Sequence, residues 1–294
     1  MAMQHRALVL GSGGVTGVAW EVGMIAGLAE HGIDLTEADL VVGTSAGSVV
    51  GVDVRSGVSI SDIYAQQLAP PGDEPFARMG PRVIAGLLRS MVLTRDPVRA
   101  RRRIGRLALA ARTEPEQHRR GVIASRLPVH EWPARRLVVT AVDAGTGEFT
   151  TFDAASGVSL VDAVGASCAV PGVWPPVSIG GRRYIDGGMR ATANVDLAAG
   201  YRQVVVIAPL PRGVGRIAGV ARQVAELPGS PSVAVIVPGK AAVSAIGRNL
   251  LDPASRQSAA RAGYAQAATE AERIGAVWLA GRSAADEPDP AAGG

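Results

Sequence analysis

Three short stretches of this 294-residue chain hold residues that could do chemistry: Gly11-Ser12-Gly13-Gly14-Val15-Thr16-Gly17, Gly43-Thr44-Ser45-Ala46-Gly47 and Asp186-Gly187-Gly188. The second has the form of a nucleophile elbow. A serine raised on a very tight strand-to-helix turn needs residues without bulky side chains two before and two after it, and Gly43 and Gly47 fill those places. Ser45 would then stand at a helix N-terminus, where unbonded N–H groups and the positive end of the helix dipole favour a developing oxyanion. The bland alternative is a glycine-lined turn with a solvent-facing serine. In a chain with 37 glycines such a pentapeptide arises by chance.

A serine nucleophile needs a base, and the histidines restrict the choice. The four are His5, His31, His118 and His130. A standard α/β-hydrolase uses the order Ser, Asp or Glu, His, and no histidine lies in the C-terminal half. His118 and His130 leave open a Ser-His esterase. Otherwise the base is a carboxylate, the remaining available type. A dinucleotide-binding fold also places a glycine loop after its first strand, but it puts an acid at the end of the second strand. Here Asp39 precedes Leu40-Val41-Val42, and the serine elbow follows.

The elements that must hold these stretches can be read in order. Arg6 to Leu10 is a short apolar run entering the glycines, the pattern of a buried parallel strand. Gly11 to Gly17 reads as a loop. Val18 to Glu30 carries apolar residues at three- and four-residue spacing, with Gly32 as a C-cap. Leu40 to Val42 is the next strand, and a helix follows the elbow. This βαβα unit implies a mainly parallel sheet covered by helices on both faces. Further on, Leu137 to Val142 and Glu148 to Phe152 read as strands, Leu160 to Cys168 as a helix, and Val177 to Ile179 with Arg183 to Ile185 as a hairpin across Gly180-Gly181. Gln203 to Ala208 and Ser232 to Val237 complete the strands, and Ala254 to Ile274 is a long alanine-rich helix.

Composition bounds the remaining possibilities. Apolar residues make up 47% of the chain, enough for a sizeable core, and one domain over 1–281 is expected, with a disordered tail at 282–294. The single cysteine, Cys168, excludes an internal disulfide framework, and no metal site or cofactor is expected. Ala7 to Ala29 is long enough to span a bilayer, but its six glycines would make a poor membrane helix. The expectation is a soluble cytoplasmic protein. Residues 70–136 form an arginine-rich insertion of two or three amphipathic helices, with fifteen arginines against four acids from Arg78 onward. It is either a lid or surface for anionic membrane, or a solvated insertion whose arginines face water. Phe76 and Trp132 give no stacking platform there, so nucleic acid is not an expected partner.

Taken together, the loop Gly11 to Gly17, the elbow around Ser45, Asp186-Gly187-Gly188 and the block Ala166-Ser167-Cys168-Ala169-Val170-Pro171 resemble the patatin-like phospholipases in order and approximate spacing, across Arg6 to Ala208. The resemblance implies a patatin-like three-layer α/β/α sandwich with a mainly parallel central sheet. It implies a Ser-Asp dyad lipid acyl hydrolase with Ser45 as nucleophile and Asp186 as base. The backbone N–H groups of Gly13, Gly14 and Val15 would form its oxyanion hole, and a lipid or acyl ester would be its substrate. Asp186 would then lie within hydrogen-bond reach of Ser45 Oγ, its pKa lifted by desolvation. Two positions depart from the family pattern: Ser12 replaces a third consecutive glycine, and Thr16 replaces a basic residue. The second departure weakens phospholipid against a neutral ester. Asn194 is a candidate orienter of Asp186. A non-catalytic lipid-binding or scaffold protein that keeps the fold is the alternative of another class.

Overall fold

The computed structural model describes residues 6–70 and 76–280; the tail expected at 282–294 lies outside them. Eight strands form one sheet. They are β1 (Arg6–Leu10), β2 (Leu40–Gly43), β3 (Leu137–Asp143), β4 (Phe149–Phe152), β5 (Val177–Ile179), β6 (Arg182–Asp186), β7 (Gln203–Ile207) and β8 (Ser232–Ile236). The strands β3, β2, β1, β7 and β8 lie side by side and parallel. β4 and β6 join β3 antiparallel, and β5 joins β6 antiparallel. The expected mainly parallel sheet is therefore present, with an antiparallel extension at the β3 end.

Sequence alternation within the strands sorts the core onto two faces. Leu8, Leu10, Val41, Val139 and Ala141 point to one face. There they meet the helices α1 (Gly14–Glu30), α2 (Ala46–Asp53), α3 (Ile60–Leu68), α7 (Leu160–Ser167) and α10 (Arg256–Trp278). Ala7, Val9, Leu40, Val42 and Val204 point to the other, against α8 (Val220–Ala225) and the segment around Val195. Further along that second face, α4 (Pro81–Val92) and α5 (Pro97–Ala110) cover Val142 and Ile185. The result is the expected three-layer α/β/α architecture.

α1 begins at Gly14, four residues ahead of the start expected from its apolar spacing. Gly14 enters the helix with a φ of +62° and the Gly13 carbonyl accepts from the Gly17 N–H, so glycines that read as loop form the first turn. At the far end Gly32 is left-handed at φ +75°, and the N–H groups of Gly32 and Ile33 return to the carbonyls of Ala29 and Leu28. This is the glycine stop that the sequence suggested. The window long enough to span a bilayer is thus divided between β1 and a buried 17-residue helix. No helix of the described residues is long and apolar enough to cross a membrane.

The arginine-rich insertion supplies three helices, α4, α5 and α6 (Glu116–Arg126). Residues 240–246 form a short helix, α9, after β8. α3, α8 and α9 are additional to the elements expected from sequence.

Candidate active site

The register of β3 brings the second and third glycine-bearing stretches together. Val139 pairs with Gly43 of β2 and also with Phe152 of β4, so those two strands flank β3 on opposite edges. Ala141 pairs with Asp186 of β6 and with Thr150 of β4, so β6 shares the β2 edge. β2 runs with β3 and β6 runs against it. The two strands therefore meet end to end beside Thr140, one delivering Ser45 and the other Asp186.

The turn that carries Ser45 is as tight as its glycines imply. Ser45 has φ 54° and ψ −117°, a backbone conformation that costs a side-chain-bearing residue about 1–3 kcal/mol. A methyl group at Gly43 would lie 2.6 Å from the Gly47 carbonyl oxygen, and one at Gly47 would run into the backbone of Leu10. Surrounding hydrogen bonds hold the strained residue. The Ser45 N–H donates to Ser167 Oγ at 2.9 Å, and its carbonyl accepts from Ser48 Oγ at 2.6 Å and from Cys168 Sγ at 3.3 Å. Thr44 N–H and Gly47 N–H donate to the carbonyls of Leu10 and Gly11, which fixes the elbow against the first glycine loop.

Ser45 Oγ donates to Asp186 Oδ2 at 2.6 Å, and the Gly188 N–H donates to Asp186 Oδ1 at 2.7 Å. Both residues are buried, at 5% and 3% exposure. Burial raises the Asp186 carboxyl to about 6, against the opposing pull of the Ser45 hydroxyl and the Gly188 N–H. Gly187 and Gly188 are required by the closeness of the strands: a methyl group on Gly187 would strike Thr140, and one on Gly188 would lie 2.5 Å from Ser12 Oγ and 2.9 Å from Asp186 Oδ1. Burial, followed by the charge of Asp186, pushes the neighbouring Cys168 thiol up to about 11, so it stays protonated and donates to Ser45.

The first glycine loop shares a pocket with Ser45 and Asp186. Gly11 N–H donates to the Ile207 carbonyl and to Glu21 Oε1, each at 2.9 Å, and Ser12 N–H donates to the Thr192 carbonyl. Thr16 N–H donates to the Leu250 carbonyl. Among the described residues no acceptor takes the N–H groups of Gly13, Gly14 or Val15, as expected for the first turn of a helix. Gly13 and Gly14 line the same pocket as Ser45 and Asp186; the Val15 side chain faces a separate cleft with Val49 and Asp53. A side chain at Gly14 would meet the Leu250 carbonyl oxygen at 2.5 Å, and one at Gly13 would meet Pro209 at 2.6 Å.

The pocket above Ser45 measures about 660 Å³ and its walls are mostly apolar, with Phe76, Met79, Ile84, Met189, Leu210 and Leu250 among them. Arg78, Arg212 and Arg248 also lie on its lining. Most of these residues belong to the insertion or to the C-terminal third, where the sequence offers no motif.

Two other sequence candidates lie elsewhere. His118 is exposed on α6 and pairs with Glu114 at 3.4 Å, and His130 Nε2 donates to the Ala124 carbonyl. Neither lines the pocket, so the Ser-His pairing has no geometric basis. Asn194 makes no hydrogen bond to Asp186 among the described residues. It is fully buried in a left-handed conformation, and its Nδ2 reaches Thr44 Oγ1 at 3.0 Å and the Gly187 carbonyl at 3.4 Å. Arg190 holds its Oδ1 at 2.9 Å. Asn194 thus ties the elbow to the turn after Asp186, one residue removed from the carboxylate.

The family model described as patatin-like phospholipase matches residues 8–199. No curated protein matches the chain. Among solved structures, the chain is similar to VipD from Legionella pneumophila at 15% identity and a TM-score of 0.47, covering 92% of this chain and 67% of that one. It is also similar to the type III effector protein ExoU at 16% identity and a TM-score of 0.43, covering 92% of this chain and 53% of that one, about half its length.

Proposed function

The chain belongs to the patatin-like phospholipase family, and from that premise we propose that it is a serine lipid acyl hydrolase whose nucleophile is Ser45 and whose general base is Asp186. The observation that carries this reading is the 2.6 Å hydrogen bond between them at the floor of an apolar pocket. Asp186 takes the Ser45 proton as Oγ attacks the ester carbonyl. The N–H groups of Gly13 and Gly14, with that of Val15 one residue further into the helix, receive the developing oxyanion. A well-placed donor of this kind is worth about 3 kcal/mol in the transition state. The protonated Asp186 then passes its proton to the departing alkoxide. Water enters, Asp186 accepts a proton from it, and hydrolysis of the acyl-Ser45 ester releases the fatty acid.

The apolar pocket walls suit an acyl chain, and α4 supports contact with a lipid surface. Ile84, Leu88 and Val92 recur every four residues on its exposed side, Val92 at 77% exposure, while Leu87 and Met91 face the core. Arg82 and Arg89 are exposed on the same helix. A helix of this composition beside the pocket can seat on an anionic bilayer.

A fluorophosphonate probe and a soluble ester test the dyad. Wild type should be labelled and active. Ser45→Ala should lose labelling, and Ser45→Ala and Asp186→Asn should each lose activity by about a thousandfold or more. A folded wild type that neither labels nor hydrolyses any ester would sink the proposal. The non-catalytic scaffold reading would then take its place.

A further inference from the structure

Three exposed arginines from three distant segments line the pocket. Arg78 precedes α4, Arg212 follows β7, and Arg248 lies in the turn after α9. The turn that bears Arg248 is fastened on two sides. Asn249 Nδ2 donates to the Ala77 carbonyl at 2.9 Å, which holds the Arg248 and Arg78 backbones beside each other. The Leu250 carbonyl accepts from Thr16 N–H at 3.2 Å, which ties the same turn to the glycine loop.

Some exposed arginines elsewhere are held by carboxylates, as Arg120 is by Asp162, Arg182 by Asp143 and Arg190 by Asp196; what sets the next three apart is that they share one pocket. Among the described residues no carboxylate stands within ion-pair distance of Arg78, Arg212 or Arg248. Apart from Asp186, the one acid on the lining is Asp252, and its Oδ1 accepts from the Ala254 N–H. Three cations without a fixed anion, on a lining that is mostly apolar and holds two acids, make a local positive field that a ligand anion relieves. Guanidinium forks match phosphate oxygens two at a time.

We propose that Arg78, Arg212 and Arg248 form an anion subsite at the pocket mouth, selecting esters that carry a phosphomonoester over those with a zwitterionic head. This rests on the ester-hydrolase reading above. The subsite also supplies what Thr16 does not. The glycine loop lacks its cation, but the turn bonded to Thr16 brings Arg248 to the same pocket.

The test separates a subsite from a charged surface by working without a bilayer. The kcat/KM of wild type and of the triple variant Arg78→Gln, Arg212→Gln, Arg248→Gln is measured on dihexanoyl phosphatidic acid and dihexanoyl phosphatidylcholine, both below their micellar concentrations. Wild type should favour the phosphatidic acid, and the triple variant should lower that ratio by about tenfold or more. A loss common to both substrates cancels in the ratio. An unchanged ratio, or a wild-type preference that appears only on vesicles, overturns the subsite; the second result assigns the arginines to membrane contact. Binding of a soluble diether phosphatidic acid to Ser45→Ala tests the subsite without catalysis, and the triple substitution should weaken it by about tenfold or more. An inactive, unlabelled wild type that still shows this charge-dependent binding would leave the subsite standing and remove the hydrolase.

Discussion

At the residue scale, the proposed role of Asp186 requires a carboxylate that can accept a proton, and burial makes it more basic. Burial raises its pKa to about 6, above the 3.8 of a free aspartate. The sign for activity follows: below that value the base is already protonated. The acid limb of kcat/KM should fall tenfold per pH unit with its midpoint near pH 6, as a pH series with a neutral ester would read; a limb centred near pH 4 would count against a buried base. The sign for stability is opposite. A raised carboxylate pKa stabilises the fold at low pH, and that contribution is lost as pH rises through about 6, so Asp186 ionises at some cost to the fold in the window where it becomes active. The pair itself was legible because each member sits in a short motif whose glycines have a steric reason. Ser167, Thr140 and the Asn194 contacts were not: the Ser45–Ser167 bond joins residues 122 apart and the Asn194–Thr44 bond joins residues 150 apart, with no local pattern to announce them.

At the scale of elements, α1 and α10 pack backbone to backbone. A methyl group on Gly27 would lie 2.6 Å from Ala267 Cβ and 2.7 Å from the Tyr264 carbonyl oxygen, and Gly23 approaches Ala260 still more closely. These glycines, which argue from sequence only against a membrane helix, form the groove that receives α10. Gly27→Ala should destabilise the protein by about 1–3 kcal/mol through overpacking, lowering Tm by about 2–4 °C per kcal/mol. Calorimetry would show it, and the midpoint of the pH–rate profile should not move. Strong apolar runs and periods made β1, β2, β3, β7, α1 and α10 readable. α8 and α9 span six and seven residues, too few for a period to stand out. The true start of α1 was hidden because glycines that read as loop entered the helix.

At the scale of the whole molecule, the arginine-rich insertion and the C-terminal third complete one pocket. The glycine-bearing motifs all lie before residue 208, yet Phe76 to Ile84 and Leu210 to Asp252 build much of the wall over them. Convergence of segments so far apart leaves no trace in spacing. The proposed lipid contact would be made by the exposed stripe of α4. Leu88→Ser with Val92→Ser should reduce co-sedimentation with anionic vesicles several-fold while leaving turnover of a monomeric soluble ester intact; equal loss of both would assign the stripe to folding.

The end-to-end meeting of β2 and β6 on one edge of β3 has a consequence for how the site can change over generations. Gly43 faces Val139 and Asp186 faces Ala141, so the span between Ser45 and Asp186 is counted in residues of a third strand. Sliding β6 by a single residue would shift Asp186 by about 3.3 Å and turn its side chain to the other face. The Gly180-Gly181 turn and the helices between β2 and β3 lie outside that count. A change in the length of those segments would therefore reshape the walls of the pocket, and with them the proposed choice of substrate, without altering that count.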